Sequence, residues 1–164
     1  FSITPERAKR VLFTIPFYKS GLTIVVPKGN PKNIQSFDDL KGKKISVQLG
    51  TTSMSFAKKI QDAEVTTFNG AGDALLNMIA GNADAVINDK PVTDYIMTQN
   101  KQIADSCLHL KPIATADLFA MVTSKQNTKL KAEMDKALKQ LKADGTFNKL
   151  HEKWFGVPAD PELP

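Results

Sequence analysis

The sequence lacks several features that would place it quickly in a common class. It contains a single cysteine, Cys107, which excludes an internal disulfide and any metal site built from several cysteines. No apolar run approaches the ~18 to 20 residues that a membrane-spanning helix requires. The opening stretch FSITPERAKR has no hydrophobic signal-peptide core, so a mature or trimmed chain is expected. What remains is a globular composition, with 41% hydrophobic and 24% charged residues among 164.

The usual catalytic motifs are also missing. There is no G-x-x-x-x-G-K-[ST] phosphate loop, and the stretch GAGDAL has Leu75 where a dinucleotide motif needs its last glycine. His151 lies in HEKWF without the second histidine of a zinc motif, and His109 has no acid or nucleophile partner that spacing can assign. We therefore predict structural or surface roles for both histidines, and no catalytic residue, cofactor or metal site.

Positive charge is concentrated near the end of the chain. The formal net charge is +5, and the segment 125–153 carries eight lysines against four acidic residues. These lysines alternate with apolar residues at helical spacing, which favours the solvated face of a packed helix over a nucleic-acid or membrane patch. No nucleic-acid partner is predicted.

Strand and helix signals alternate along the chain. Strands are predicted at 21–27, 43–50, 64–69, 83–89 and 117–125. Helices are predicted at 36–42 with Ser36 as N-cap, and at 53–61, 72–83, 92–100, 128–145 and 146–156. The alternation indicates an α/β protein with mainly parallel strands covered by helices.

The loop GTTS, residues 50–53, joins a predicted strand to a predicted helix. Gly50 permits the tight turn, and the backbone N–H groups of Thr52 and Ser53 would open the helix toward an anion. Alternatively, Thr51, Thr52 or Ser53 caps its own helix.

A second loop, INDKP, follows the apolar strand that ends at Ile87. Asn88 and Asp89 stand at the carboxyl end of that strand, where ligands gather in α/β sheets. The carboxylate of Asp89 is suited to a cation, but it could equally serve as an N-cap.

Four segments together resemble the polar amino-acid-binding proteins of ABC importers, which include the glutamine, histidine and lysine–arginine–ornithine binders. The segments are SITPERAKRVLFTIPFYKSGLTIVV, FDDLKGKKISVQLGTTS, NADAVINDKPVTDYI and LKADGTFNKLHEKWFG, in the family's order. The resemblance implies the two-lobe, type II periplasmic-binding-protein-like α/β fold. The same scaffold occurs in glutamate-receptor ligand domains, in cyclohexadienyl or arogenate dehydratases, and fused to lytic transglycosylases.

The resemblance also implies a set of ligand-binding residues. Arg7 matches the arginine that forms a forked pair with the ligand α-carboxylate, and Asp89 matches the aspartate that holds the α-ammonium. The remaining positions are a hydroxyl at Ser2, N–H donors at Thr52 and Ser53, and contacts to the ligand side chain at Gln48 and Asn88.

The match implies one complete lobe and one partial lobe. The expected layout is a remnant of lobe 1 at 1–20, a complete lobe 2 at 21–112, and a return to lobe 1 at 113–164, with hinge crossings near YKSG and IATAD. Relatives begin roughly seventy residues earlier, about half a lobe. Another segment of lobe 1, or a second copy of the chain, is expected to complete it.

The implied function is capture of a free polar L-amino acid between the lobes, with glutamine as one candidate, and delivery to an ABC permease. This places the protein in the periplasm or at the outer face of the cell membrane. The alternatives are a dehydratase on the same scaffold and a receptor ligand-binding domain. A carboxylate dedicated to an ammonium group, as implied for Asp89, favours binding over a dehydratase unless the substrate is arogenate.

Overall fold

The computed structural model describes residues 1–163, which form two compact units. Unit 1 combines Phe1–Ser20 with the segment that begins at Asp117, and unit 2 is Gly21–Ala116. The strands are β1 Val11–Phe13, β2 Tyr18–Ser20, β3 Leu22–Pro27, β4 Lys44–Gln48, β5 Glu64–Phe68, β6 Ala85–Asp89, β7 Cys107–Ile113, β8 Asp117–Phe119 and β9 Val122–Ser124. The helices are α1 Pro5–Ala8, α2 Thr52–Ala57, α3 Ala71–Ile79, α4 Lys90–Gln99, α5 Lys101–Ser106, α6 Thr128–Ala143 and α7 Thr146–Phe155.

Unit 2 is built on a five-stranded sheet with the order β5-β4-β6-β3-β7. β4 runs parallel to β5 and β6, whereas β3 runs antiparallel to β6 and β7. The prediction of mainly parallel strands therefore holds only for the β4–α2–β5–α3–β6 run, where crossover helices return the chain to the same end of the sheet. The sheet as a whole is mixed.

Apolar residues of unit 2 pack on both faces of this sheet. Leu22, Ile24 and Val26 belong to one buried cluster, and the intervening Val25 belongs to a second cluster with Leu75 of α3. This alternation follows from the two-residue period of a strand. It explains why β3 is apolar almost throughout.

The end of unit 2 differs in position from the predicted boundary at 112. β7 continues to Ile113, Ala114 N–H donates to Leu22 O at 2.9 Å, and Leu22 N–H donates to Thr115 Oγ1 at 3.0 Å. The chain therefore leaves unit 2 after Ala116. Gly21 is required beside this segment, because an added Cβ would clash with the backbone carbonyl oxygen of Thr115.

Unit 1 contains two short antiparallel ladders, β1–β9 and β2–β8. The strand predicted at 117–125 is in fact two strands, because β8 pairs with β2 and β9 pairs with β1, with Ala120 and Met121 between them. Ser2 forms an isolated antiparallel bridge with Phe119. α6 and α7 follow as predicted, and Gly145 between them has a positive φ of 79°.

The segment predicted as a helix at 36–42 is a 3-10 turn at Asp38–Leu40. Ser36 does not cap it; instead, Asp39 Oδ2 accepts hydrogen bonds from the backbone N–H groups of Gln35 and Ser36, both at 2.8 Å. Across residues 1–163, no helix combines the length and apolar character needed to cross a bilayer.

Candidate functional site

Five of the seven predicted site residues lie where β4 and β6 end, at the carboxyl-terminal edge of the unit 2 sheet. β4 and β6 are parallel neighbours, with Ile45 opposite Ala85 and Ser46 opposite Val86. Continuing that register places the ends of both strands, Gln48 and Asn88, side by side. The loops that follow begin α2 and α4, so this edge brings together Gln48, Thr52, Ser53, Asn88 and Asp89.

The loop after β4 turns at Gly50, where φ is 74°, and then begins α2. Thr51 is the N-cap: its Oγ1 accepts from Met54 N–H at 3.2 Å and donates to Gln48 O at 2.7 Å. Of the three candidate caps, Thr51 therefore serves this role. Thr52 and Ser53 are the first helical residues, and their N–H groups have no acceptor inside the helix.

The side-chain hydroxyls of Thr52 and Ser53 also need a hydrogen-bond partner. Thr52 Oγ1 and Ser53 Oγ are buried, and neither makes a hydrogen bond within residues 1–163. Ser53 is only 1% exposed. Because a buried hydroxyl without a partner costs about 1 to 3 kcal/mol, a polar ligand at this position would offset that cost.

Asp89 ends β6 and occupies the N-cap position of α4, with φ −61° and ψ 133°. Its side chain makes no capping hydrogen bond to that helix. Pro91, which lacks an N–H group, stands in the first turn. Asp89 thus occupies the cap position, but its side chain is not the hydrogen-bonding cap of α4. No group of three or more metal-binding side chains surrounds it or any other described residue.

Gln48 and Asn88 are both engaged inside unit 2. Gln48 Nε2 donates to Asn69 O at 3.1 Å, and Asn88 Nδ2 donates to Thr93 Oγ1 at 3.2 Å. Asn88 is 4% exposed, so its amide holds the end of β6 against α4. Gln48 is only half-buried, which leaves it the more accessible of the two.

The other two predicted residues, Ser2 and Arg7, lie close together in unit 1. Thr4 caps α1 by accepting from Arg7 N–H at 3.2 Å. Arg7 Nη1 donates to Ser2 O at 3.0 Å, and the guanidinium carbon lies 4.0 Å from the centre of the Phe1 ring. Backbone and aromatic contacts therefore hold the guanidinium next to Ser2.

His109 has an acid partner that spacing did not reveal. Its Nδ1 lies 2.9 Å from Asp94 Oδ1, and its Nε2 lies 2.7 Å from Thr23 Oγ1. The three residues come from β7, α4 and β3, so only the tertiary fold brings them together. His151 has a structural contact instead, with Nδ1 2.7 Å from Val157 O.

Comparison with known proteins identifies the class of this arrangement. The family model of bacterial extracellular solute-binding proteins, family 3, matches residues 1–157. The putative ABC transporter arginine-binding protein 2 of Escherichia coli is 34% identical over 158 residues, which are 93% of this chain and 63% of that protein. The ABC transporter glutamine-binding protein GlnH of Bacillus subtilis is 29% identical over 98% of this chain and 56% of its own length.

Solved structures give the same result. The arginine-, lysine-, histidine-binding protein ArtJ of Geobacillus stearothermophilus superposes with a TM-score of 0.86 at 29% identity, covering 99% of this chain and 69% of that one. An ancestral amino-acid-binding protein described as a precursor of cyclohexadienyl dehydratase gives a TM-score of 0.83 at 37% identity, covering 94% and 66%. The fold is therefore that of the type II periplasmic-binding-protein-like amino-acid binders, of which this chain spans about two thirds. The chain belongs to the bacterial extracellular solute-binding proteins, family 3.

Proposed function

We propose that this chain binds a free polar L-amino acid outside the cytoplasm and delivers it to the membrane permease of an ABC importer. Family membership supports extracytoplasmic solute binding, and several relatives are named for arginine, cystine or glutamine. Because the chain spans 63% of the arginine-binding relative, the activity of the whole protein is inferred from this part.

The proposal rests on one observation. Groups that suit an anion and a carboxylate that suits a cation lie at neighbouring strand ends of unit 2. The start of α2 offers N–H groups and two buried hydroxyls, which suit an anion. The adjacent strand β6 ends in the carboxylate of Asp89, which suits a cation. A free amino acid at neutral pH carries both charges on one carbon. An isolated anion or cation would use only half of this edge.

The proposed roles follow from these preferences and from the family pattern. Thr52 and Ser53 bind the α-carboxylate through N–H and hydroxyl groups, and Asp89 binds the α-ammonium. Arg7 pairs with the α-carboxylate through its planar guanidinium, and Ser2 contributes a hydroxyl. The role of Arg7 rests on the family resemblance, since it belongs to unit 1.

We assign recognition of the ligand side chain chiefly to Gln48. Its amide is half-buried and makes one described hydrogen bond, to Asn69 O, so rearrangement toward a ligand requires breaking only that bond. Asn88 is fixed against Thr93 and acts mainly by shaping the strand end. We propose glutamine or arginine as the ligand, since an amide at position 48 pairs with either side chain.

Calorimetric titration of the chain with each of the twenty standard L-amino acids tests the proposal. Saturable binding of one or a few polar amino acids is expected, with competition among them. In parallel, prephenate and arogenate are incubated with the protein and followed for loss of the substrate. Turnover without amino-acid binding would replace the proposed function by the dehydratase alternative.

A further inference from the structure

His109 lies on the outermost strand of the unit 2 sheet, β7, next to an irregularity in its pairing with β3. The pairing of β3 with β7 shifts between Thr23, which faces Ile113, and Val25, which faces His109. The extra residues of β7 include Pro112, which has no N–H to donate to a ladder. The imidazole of His109 lies diagonally across from Thr23, with Nε2 2.7 Å from Thr23 Oγ1, while the backbone of His109 pairs with Val25.

Both nitrogens of the imidazole are hydrogen-bonded. One contacts α4, which follows Asp89 in the chain, and the other contacts Thr23, which lies beside Asn88, the residue before Asp89. Nδ1 meets Asp94 Oδ1 at 2.9 Å, one turn into the helix that begins after Asp89. Nε2 meets Thr23 Oγ1 at 2.7 Å, and that hydroxyl also lies 3.2 Å from Asn88 O, in the residue before Asp89. Thr23 is 1% exposed, so water does not compete for these bonds.

We propose that His109 is a positioning residue for Asp89, which it holds through Thr23 on the strand side and Asp94 on the helix side. The proton on Nε2 decides whether the hydroxyl hydrogen of Thr23 is donated to the imidazole or to the Asn88 carbonyl. The inference rests on the proposed role of Asp89 in binding the ammonium group.

A count of hydrogens explains how protonation acts. In the neutral ring, Nδ1–H donates to the Asp94 carboxylate, and Nε2 accepts the single hydroxyl hydrogen of Thr23. In the protonated ring, Nε2–H donates to Thr23 Oγ1 instead. The hydroxyl hydrogen of Thr23 is then available to Asn88 O. Protonation therefore adds a hydrogen bond to the peptide group that joins Asn88 to Asp89.

The charged groups around the ring set the pH at which this exchange occurs. Burial is the largest influence and lowers the pKa of His109, the nearby Asp94 carboxylate opposes this, and the Lys90 ammonium lowers the pKa further. β3 contributes only the neutral Thr23, and the other charged group of β7, Lys111, is exposed. The pKa of His109 is therefore lowered, and its protonated form becomes populated at a lower pH than for an ordinary histidine.

NMR of the intact chain tests the inference without any ligand. The Asn88 carbonyl carbon and the Asp89 amide are followed with the His109 ring signals as pH is lowered from 8. We expect all three to shift with one shared midpoint. In His109→Gln, which keeps a hydrogen-bonding amide but does not titrate, the two backbone signals should lose that transition.

Two further variants separate this relay from a general loss of structure. In Thr23→Val, the His109 ring should still titrate while the Asn88 and Asp89 signals no longer follow it. His151→Gln removes the other histidine, in unit 1, and should leave the shared midpoint unchanged. Backbone signals that ignore the His109 transition, or that still follow it in Thr23→Val, would overturn the relay. Failure of the chain to bind any of the twenty standard L-amino acids would overturn the proposed function instead, because the NMR result does not depend on a ligand.

Discussion

The two units of the molecule bury their apolar residues to very different extents. Unit 2 is one continuous segment and contains two buried clusters, one on each face of its sheet. Unit 1 is built from both ends of the chain, and among the described residues its buried hydrophobic side chains are only Ala120 and Leu138. Unit 2 therefore has a hydrophobic core of its own, whereas the described residues of unit 1 bury too few apolar side chains to form a comparable core.

Unit 1 has an apolar groove on its surface. α6, α7 and the segments near Phe17 and Met121 form an apolar groove, which includes Leu138, Leu141, Phe147, Leu150, His151, Trp154 and Phe155. Trp154 is 64% exposed and Leu150 is 44% exposed, although both lie on an amphipathic helix. An apolar surface of this kind usually marks an interface.

The largest expected effects concern ligand binding, to which each unit is proposed to contribute one charge. Asp89→Ala in unit 2 and Arg7→Ala in unit 1 each leave a ligand charge without its partner. We expect each to cost about 2 to 5 kcal/mol, or roughly thirty-fold to several-thousand-fold in affinity by calorimetry. Asp105→Ala removes an exposed carboxylate of unit 2 and should leave affinity unchanged. Wild-type affinity in Asp89→Ala would show that this aspartate does not bind the ammonium group.

A pair of leucine truncations measures the difference between the units directly. Leu75 is completely buried in unit 2, and Leu150 is 44% exposed in unit 1. Leu75→Ala should lower the free energy of unfolding by about 2 to 5 kcal/mol, since it removes core contacts and leaves a cavity. Leu150→Ala should cost about 1 kcal/mol or less. Urea denaturation measures both at protein concentrations low enough to keep the chain monomeric, and equal costs there would show that Leu150 is packed as firmly as Leu75 within one chain.

Much of unit 2 could be predicted from local pattern, because its central run alternates short apolar strands with amphipathic helices. The residues that escaped prediction depend on contacts between distant segments. β7 was missed because Lys111 and Pro112 interrupt its apolar pattern, and the strand accommodates them only through a bulge against β3. His109 of β7 and Asp94 of α4 meet only in the folded chain, so no rule of sequence spacing could have paired them.

The candidate site shows the same division. Asp89 could be placed at a strand end from the sequence, since it follows a buried apolar strand. The choice of cap at the start of α2 could not be made, because three consecutive hydroxyl residues suit the role and only backbone geometry selects Thr51. The binding roles of all seven residues stay predictions: Ser2, Arg7, Gln48, Thr52, Ser53, Asn88 and Asp89.

The groove of unit 1 predicts self-association or association with a further lobe 1 segment. We expect light scattering to show species larger than a monomer when this chain is studied alone, because association would bury the groove. Trp154→Lys should shift the distribution toward monomer. Glu152→Gln changes the net charge by the same amount at an exposed site on the same helix and should not. A monodisperse monomer for the unmodified chain would contradict the prediction.

The smallest expected effect separates two helix caps that have the same geometry. Thr51 Oγ1 accepts from Met54 N–H at 3.2 Å in unit 2, and Thr4 Oγ1 accepts from Arg7 N–H at 3.2 Å in unit 1. Thr51→Ala should cost about 1 kcal/mol of unfolding free energy, because α2 buries Ser53 and Ala57 against the rest of unit 2. Thr4→Ala should cost less, because α1 has four residues and none of them is buried.

The two cap variants also differ in where their effects should appear. Thr51→Ala would fray the first turn of α2, so it should lower both stability and the affinity for the amino acid, which is proposed to meet that turn. Thr51→Ser retains the cap oxygen and should restore both. Thr4→Ala frees the backbone that holds Arg7, so its effect should fall on affinity more than on the denaturation midpoint. Equal losses of stability in the two alanine variants would show that α1 is as firmly packed as α2, and the contrast between the units would then not extend to their helix starts.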